Sequence, residues 1–180
     1  MDKKIIIING KGKSGKDTFV KLVNKYVKAQ NYSSVSLIRE IAKHLGYDDN
    51  RKNEKDRKFL SDLKMLSTEY NDAPFNDMIL TILTFLYNKD NKNELLFIHV
   101  REPHEIQRLM DYAKESNIYM TTLLVKRTEL ENTEYGNMAD DNVNFYNYDY
   151  TLHNDGTLED LETNVKGYLI HVLGIDLNLV

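Results

Sequence analysis

The sequence predicts an α/β fold, a three-layer sandwich around a mostly parallel, five-stranded sheet. Three observations carry this. Apolar β-branched runs alternate along the chain with stretches of helical periodicity, the pattern of strand-helix-strand units. Four consecutive isoleucines, Ile5 to Ile8, leave no polar face and describe a strand buried on both sides, as in parallel sheets covered by helices. With two prolines, eight glycines, no linker-like segment and no internal repeat, the 180 residues read as one domain with a sizeable core.

The elements follow in order. Lys3 to Asn9 is the first strand. A helix over about Gly15 to Ala29 comes next, because Phe19, Leu22, Val23, Tyr26 and Val27 recur on one face. Val35 to Ile38 reads as a short second strand, followed by a helix through Ile41, Ala42 and Leu45. Two further helices are expected at about 54–70 and 75–87, interrupted at Asn71-Asp72-Ala73-Pro74. Leu95 to Val100 is the third strand, Pro103 to Glu115 a helix opened by proline in its first turn, and Tyr119 to Val125 the fourth strand. Residues 128–148 show no regular period. Asp149 to His153 is a short last strand and Leu158 to Leu173 the last helix, with Thr157 and Asp160 at capping-box spacing.

Composition removes several chemistries. The chain has no cysteine, so a disulfide framework, a thiolate zinc site, an iron-sulfur cluster and a cysteine nucleophile are all excluded. Its longest apolar runs are four residues, far short of the ~20 needed to span a bilayer, and no basic-then-apolar leader opens it, so the expectation is a cytoplasmic protein without a membrane partner. The net charge of -4 is unevenly spread: residues 1–30 carry eight lysines against Asp2 and Asp17, a local +6 that leaves -10 on the rest. A basic end on an acidic chain points to a local anion site and not to a nucleic-acid surface, which needs a continuous basic face.

The anion site has a location. Gly10-Lys11-Gly12-Lys13-Ser14-Gly15-Lys16-Asp17-Thr18 contains the spacing G-x-x-x-x-G-K between the clearest strand and the clearest amphipathic helix, the context this motif requires. At this chain's own Gly and Lys frequencies the spacing arises by chance roughly 0.03 times. Glycines let the backbone curl until consecutive N-H groups converge on phosphate oxygens, the helix N-terminus adds roughly half a positive charge, and the Lys16 ammonium can reach β and γ phosphates. The next residue is Asp17 where the motif usually has Ser or Thr, and the hydroxyl arrives one position later as Thr18. Asp17 reads either as a first-turn carboxylate favoured by the helix dipole or, with Thr18, as the group that orients magnesium.

At these residues the chain resembles the phage-type deoxynucleoside monophosphate kinases: its string Gly-Lys-Ser-Gly-Lys-Asp-Thr looks like the phosphate loop of that family. Two further segments extend the resemblance. Phe97-Ile98-His99-Val100-Arg101-Glu102-Pro103-His104-Glu105 is similar to that family's third-strand ending, with His99 where the family has an aspartate. Asp149 to Leu161, around Asn154-Asp155-Gly156, is similar to its last strand, turn and helix. The resemblance implies a P-loop kinase with strand order 2-3-1-4-5, ATP and Mg2+ as cofactors, and a nucleoside or deoxynucleoside monophosphate as acceptor. It implies that Gly10 to Thr18 bind the nucleotide phosphates, with Lys16, Arg101 and Arg127 in catalysis and Asp17 and Thr18 near the metal. Asn154 and Gly156 would border the base, although this segment also reads as an ordinary turn. An acceptor-binding helical region over about 39–90 would use Arg39 and Arg57, together with Arg101, and a lid-like segment would span about 127–148.

Arg39, Arg57 and Arg127 each read equally as a surface charge, whereas the place of Arg101 at a strand end beside the loop favours phosphate contact, and the lid poses an objection. From Thr128 to Val165 there are ten acidic residues and no Lys or Arg, so Arg127 would screen phosphate charge nearly alone. Phe145, Tyr146, Tyr148 and Tyr150 could stack on a base or pack the lid to the body. A kinase for another small acceptor, such as dephospho-coenzyme A, and a nucleotide-binding protein without transfer activity are the alternatives, and a homodimer is compatible with the sequence.

Overall fold

The structure is a computed structural model that describes residues 3–51, 53–130 and 142–177. Strands β1 (Lys4–Asn9), β2 (Ala29–Ser33), β3 (Leu95–His99), β4 (Met120–Lys126) and β5 (Tyr150–His153) form one parallel sheet in the order β2-β3-β1-β4-β5. In register, Ile6 lies between Phe97 and Thr121, and Leu124 lies beside Thr151. The helices are α1 (Lys16–Val23), α2 (Ser36–His44), α3 (Glu54–Asn71), α4 (Ala73–Tyr87), α5 (Pro103–Glu115) and α6 (Leu158–Gly167), the last running on into a π-helical turn at Tyr168–Val172. No helix among the described residues is long and apolar enough to cross a membrane.

Two compact units share the chain: Met1–Asn31 with Asp90–Val180, and Tyr32–Lys89. The first is a three-layer α/β/α sandwich. Alternation along β1 sends Ile6 and Ile8 into one core with Phe97, Leu123 and Val125, covered by Phe19 and Val23 of α1 and Leu161 and Val165 of α6. Phe19 locks this layer, meeting Phe97 and Tyr168 edge-to-face at 6.0 and 5.6 Å. Ile5 and Ile7 are equally buried on the opposite face, and α5 buries Ile106, Leu109 and Ala113. The Thr157–Asp160 capping box is present at the start of α6, with Asp160 Oδ2 accepting from Thr157 N at 2.8 Å and Thr157 Oγ1 from Asp160 N at 3.2 Å. In the helical unit, α3 packs against both α2 and α4. Asn53 caps α3 by accepting from Asp56 N at 2.8 Å, and a single left-handed residue, Asp72 (φ 57°), joins α3 to α4.

Two boundaries depart from the sequence reading. Helix α1 stops at Val23 instead of Ala29, because Asn24 turns the chain: its Nδ2 donates to Val20 O at 3.2 Å and its Oδ1 accepts from Ala29 N at 2.9 Å. The second strand is therefore Ala29–Ser33, and Val35 to Ile38 is no strand but the entry to α2, where Ile38 and Ala42 are buried at helical spacing. As a half-buried edge strand with Gln30, Asn31 and Ser33, β2 has no apolar run to betray it. At the C-terminal end, the single helix expected to Leu173 is α6 plus the π-helical turn.

Candidate functional site

The site forms where β1 hands over to α1. Asn9, fully buried after the four isoleucines of β1, accepts from Gly10 N through Oδ1 at 2.7 Å, while its Nδ2 donates to Arg101 O at 3.1 Å and Tyr148 OH at 2.7 Å. One side chain thus ties the loop's first residue to the end of β3. The loop then curls: Gly10 (φ 149°), Lys13 (φ 66°) and Gly15 (φ 98°) take positive φ, and Ser14 N donates to Lys11 O at 3.1 Å. Such a backbone aims N-H groups inward and makes a concavity for anions. Lys16 reaches back across it, its Nζ donating to Gly10 O and, at 2.8 Å, to Lys11 O. The Ser14 hydroxyl is buried within the loop without a partner among the described residues.

Gly10 and Gly15 are required by packing as well as by φ. A Cβ on Gly10 would lie 2.6 Å from Ser14 Oγ and inside hard contact with Val125 O, and one on Gly15 would collide with Asn154 Nδ2. Asn154 arrives from the β5–α6 turn, where its Nδ2 donates to Ser14 O at 2.9 Å and its own N donates to Lys126 O at 2.8 Å. Its neighbour Asp155 accepts from Thr128 N at 2.6 Å and Thr128 Oγ1 at 2.9 Å, bonds that hold its carboxyl below the usual range. We expect Gly15→Ala to lower stability by about 1–3 kcal/mol through backbone strain alone, and to weaken binding of any anion in the loop. Thermal melts with and without ATP check this; an unchanged melting temperature and an unchanged ligand-induced shift would show that the strain is absent.

At the end of β3, His99 is paired in register with Ile8. Burial pushes its imidazole down to about 4, opposed by Asp17 and reinforced by Lys16 and Arg101. The ring is neutral at pH 7, and with Asn31 Oδ1 as acceptor 2.7 Å away it is Nε2 that carries the hydrogen, which leaves Nδ1 an acceptor. The sign of the linkage follows. Folding favours the neutral ring, so its contribution is complete above the unfolded value near 6.5 and is lost as pH falls from there through about 4, up to about 3 kcal/mol. Denaturant titrations of wild type and His99→Gln at pH 7.5 and 4.5 should show the variant losing less stability on acidification; equal losses would refute the assignment.

The structure draws Gly10 to Lys16, Asn154 and the Arg101 backbone together, with Asp17 and Thr18 in the first turn of α1. Gly156 lies in the same turn as Asn154, against the Asp160 side chain. Arg127 shares with Lys11 the wall of a cavity of about 10 Å3, room for one water, and its Nη2 pairs with Glu129 at 3.3 Å. Arg39 does not follow a strand as expected; it is an exposed residue inside α2. Arg57 is exposed in the first turns of α3. Much of the lid-like segment, residues 131–141, lies outside the described residues. Of its aromatics, Tyr146 and Tyr148 pack edge-to-face at 5.1 Å, Tyr150 packs on Tyr168, and Phe145 is exposed. Sequence reasoning missed Asn9, Asn31, Asp155 and the anchoring role of Tyr148. Only Asn9 left a signal, as the polar residue that closes a run of four isoleucines before a glycine.

Sheet order and phosphate loop together define the three-layer P-loop NTPase fold. Solved structures bear this out at low identity. A tunicamycin resistance protein of Deinococcus radiodurans aligns with a TM-score of 0.55 at 10% identity, over 97% of this chain and 98% of that one. A candidate kinase of Chloroflexus aurantiacus gives 0.53 at 14%, over 96% and 97%, and a Thermus thermophilus protein gives 0.51 at 17%, over 96% and 99%. No family model matches the sequence, and no curated protein matches it.

Proposed function

We propose that the protein is an ATP-dependent phosphotransferase whose acceptor is a nucleoside or deoxynucleoside monophosphate. The observation that carries this reading is the curled Gly10–Gly15 loop with the Lys16 ammonium held across its carbonyls, a shape that suits a polyphosphate. Phosphoryl transfer needs in-line positioning and positive charge more than covalent help. Lys16 and the loop amides would hold the ATP phosphates, and Arg101 with Arg127 would screen charge on the transferred group. Asn154 and Gly156 would border the base, and Arg39 and Arg57 would orient the acceptor.

Magnesium suits the residues present. Asp17 and Thr18 offer one carboxylate and one hydroxyl in the first turn of α1. That is the oxygen-poor protein shell of an Mg2+ held mainly by substrate phosphates and water, where the ion would offset charge on the β and γ oxygens.

His99 bears on the acceptor. A hydroxyl acceptor must lose a proton, yet burial pushes the imidazole at the end of β3 down to about 4, which makes it a weak base at neutral pH. A monophosphate is already anionic and needs no base, which favours it over dephospho-coenzyme A. The Arg127–Glu129 pair favours a second reading, a nucleotide-binding protein without transfer activity.

The test is ADP release from ATP and Mg2+ with each nucleoside and deoxynucleoside monophosphate in turn, and Lys16→Ala as control. Turnover stimulated by one or a few acceptors and lost in the control supports the kinase. Silence across the panel with ATP still bound supports the second reading.

A further inference from the structure

The hydrogen bonds of Asn9 have a fixed direction. Arg101 O can only accept, so the Asn9 amide nitrogen faces it at 3.1 Å and Oδ1 is left to accept from Gly10 N. The second Nδ2 hydrogen goes to Tyr148 OH at 2.7 Å. Burial raises the phenol's pKa and keeps it protonated, and it passes its own hydrogen to Val143 O at 2.9 Å. Asn9 and Val143 are both buried, and the Tyr148 ring is braced edge-to-face by Tyr146 at 5.1 Å. The run is therefore a stiff link from the base of the phosphate loop to Val143.

Val143 in turn shares a wall with Arg127: with Asn144 and Lys11 they line the cavity of about 10 Å3. Little else orients this guanidinium. Its Nη2 pairs with Glu129 at 3.3 Å and Asp155 lies within its field, but both carboxylates are exposed, and such pairs hold a side chain weakly. Arg127 Nε is buried without a partner among the described residues. The arginine is thus placed mainly by packing of its stem on the Val143 wall.

We propose that Tyr148 is a positioning residue for Arg127: its hydroxyl fixes the Val143 wall to the base of the phosphate loop, and so sets where the guanidinium stands relative to the phosphates. This rests on the reading above, which gives Arg127 a role in transfer. Every group involved belongs to the phosphate-binding unit, and Tyr148 need not touch substrate.

Tyr148→Phe keeps the ring and removes only the hydroxyl. It should lower kcat about tenfold with ATP affinity within about twofold of wild type, because Asn9 Oδ1 still holds Gly10 N and the loop keeps its shape. Acting through Arg127, it should cost less than about twofold more in an Arg127→Ala background, where independent effects would multiply. Val143→Ala, which spares the hydroxyl bonds and trims the wall, should reproduce the loss. Independently of turnover, the buried Arg127 Nε–H should give a slowly exchanging NMR signal, identified by its absence in Arg127→Lys, and Tyr148→Phe should speed its exchange. Unchanged kcat in Tyr148→Phe, an equal loss of ATP affinity, losses that multiply with Arg127→Ala, no effect of Val143→Ala, or unaltered Nε–H exchange would each overturn the assignment. If the wild type phosphorylates no acceptor, the functional reading fails, and the Nε–H exchange alone decides whether Tyr148 holds Arg127.

Discussion

Lys16→Ala should reduce ATP-dependent turnover by about a thousandfold and weaken ATP binding at least about tenfold. Two losses combine. The ammonium is the positive charge at the centre of the loop, so its removal leaves the amides to hold a polyphosphate without it. It is also structural: Nζ donates to Gly10 O and Lys11 O, and without it the loop loses its cross-brace. The fold should survive, since the other bonds of the loop, Gly10 N to Asn9 Oδ1 and Asn154 Nδ2 to Ser14 O, do not involve Lys16. ADP-release assays with calorimetric ATP titration, alongside a thermal melt, test all three statements. Retained ATP affinity in a folded variant would move the nucleotide site away from this loop.

The Asn9 and Asn154 contacts also explain how far the sequence can be read. Ile5 to Ile8, Leu95 to Ile98 and the helical period of Pro103 to Glu115 are legible because burial on one or both faces leaves a pattern in the residue order. The phosphate loop is legible for a different reason: its glycines answer to a local backbone demand, φ of 149° at Gly10 and 98° at Gly15, that no other residue meets cheaply. Strand β2 is not legible. It is polar, lies at the sheet edge, and is placed by the Asn24 turn before it, while Val35 to Ile38 imitates a strand until Ala42 completes a helical face. The braces of the site are illegible too. Asn31 to His99 spans 68 residues and Asn154 to Ser14 spans 140, and nothing in a residue's neighbours reports a partner that distant.

Arg101→Ala is expected to separate transfer from binding. Its backbone is held regardless of the side chain, because Arg101 O accepts from Asn9 Nδ2 at 3.1 Å, so truncation removes a guanidinium without releasing the end of β3. The position is the carboxyl end of a strand beside the phosphate loop, where open α/β sheets bind their ligands. If the guanidinium screens charge that grows on the transferred phosphoryl group, kcat should fall about a hundredfold to a thousandfold while ATP affinity stays within about threefold. Arg101→Lys should recover only part of the loss, since an ammonium keeps the charge and gives up the planar fork. The variant has a second reporter. Arg101 is one of the groups that lowers the His99 imidazole, so its removal should raise that titration, visible by histidine NMR. A shifted His99 with undiminished turnover would place Arg101 beside the site but outside the transfer step; a loss of ATP affinity equal to the loss of kcat would make it a binding residue instead.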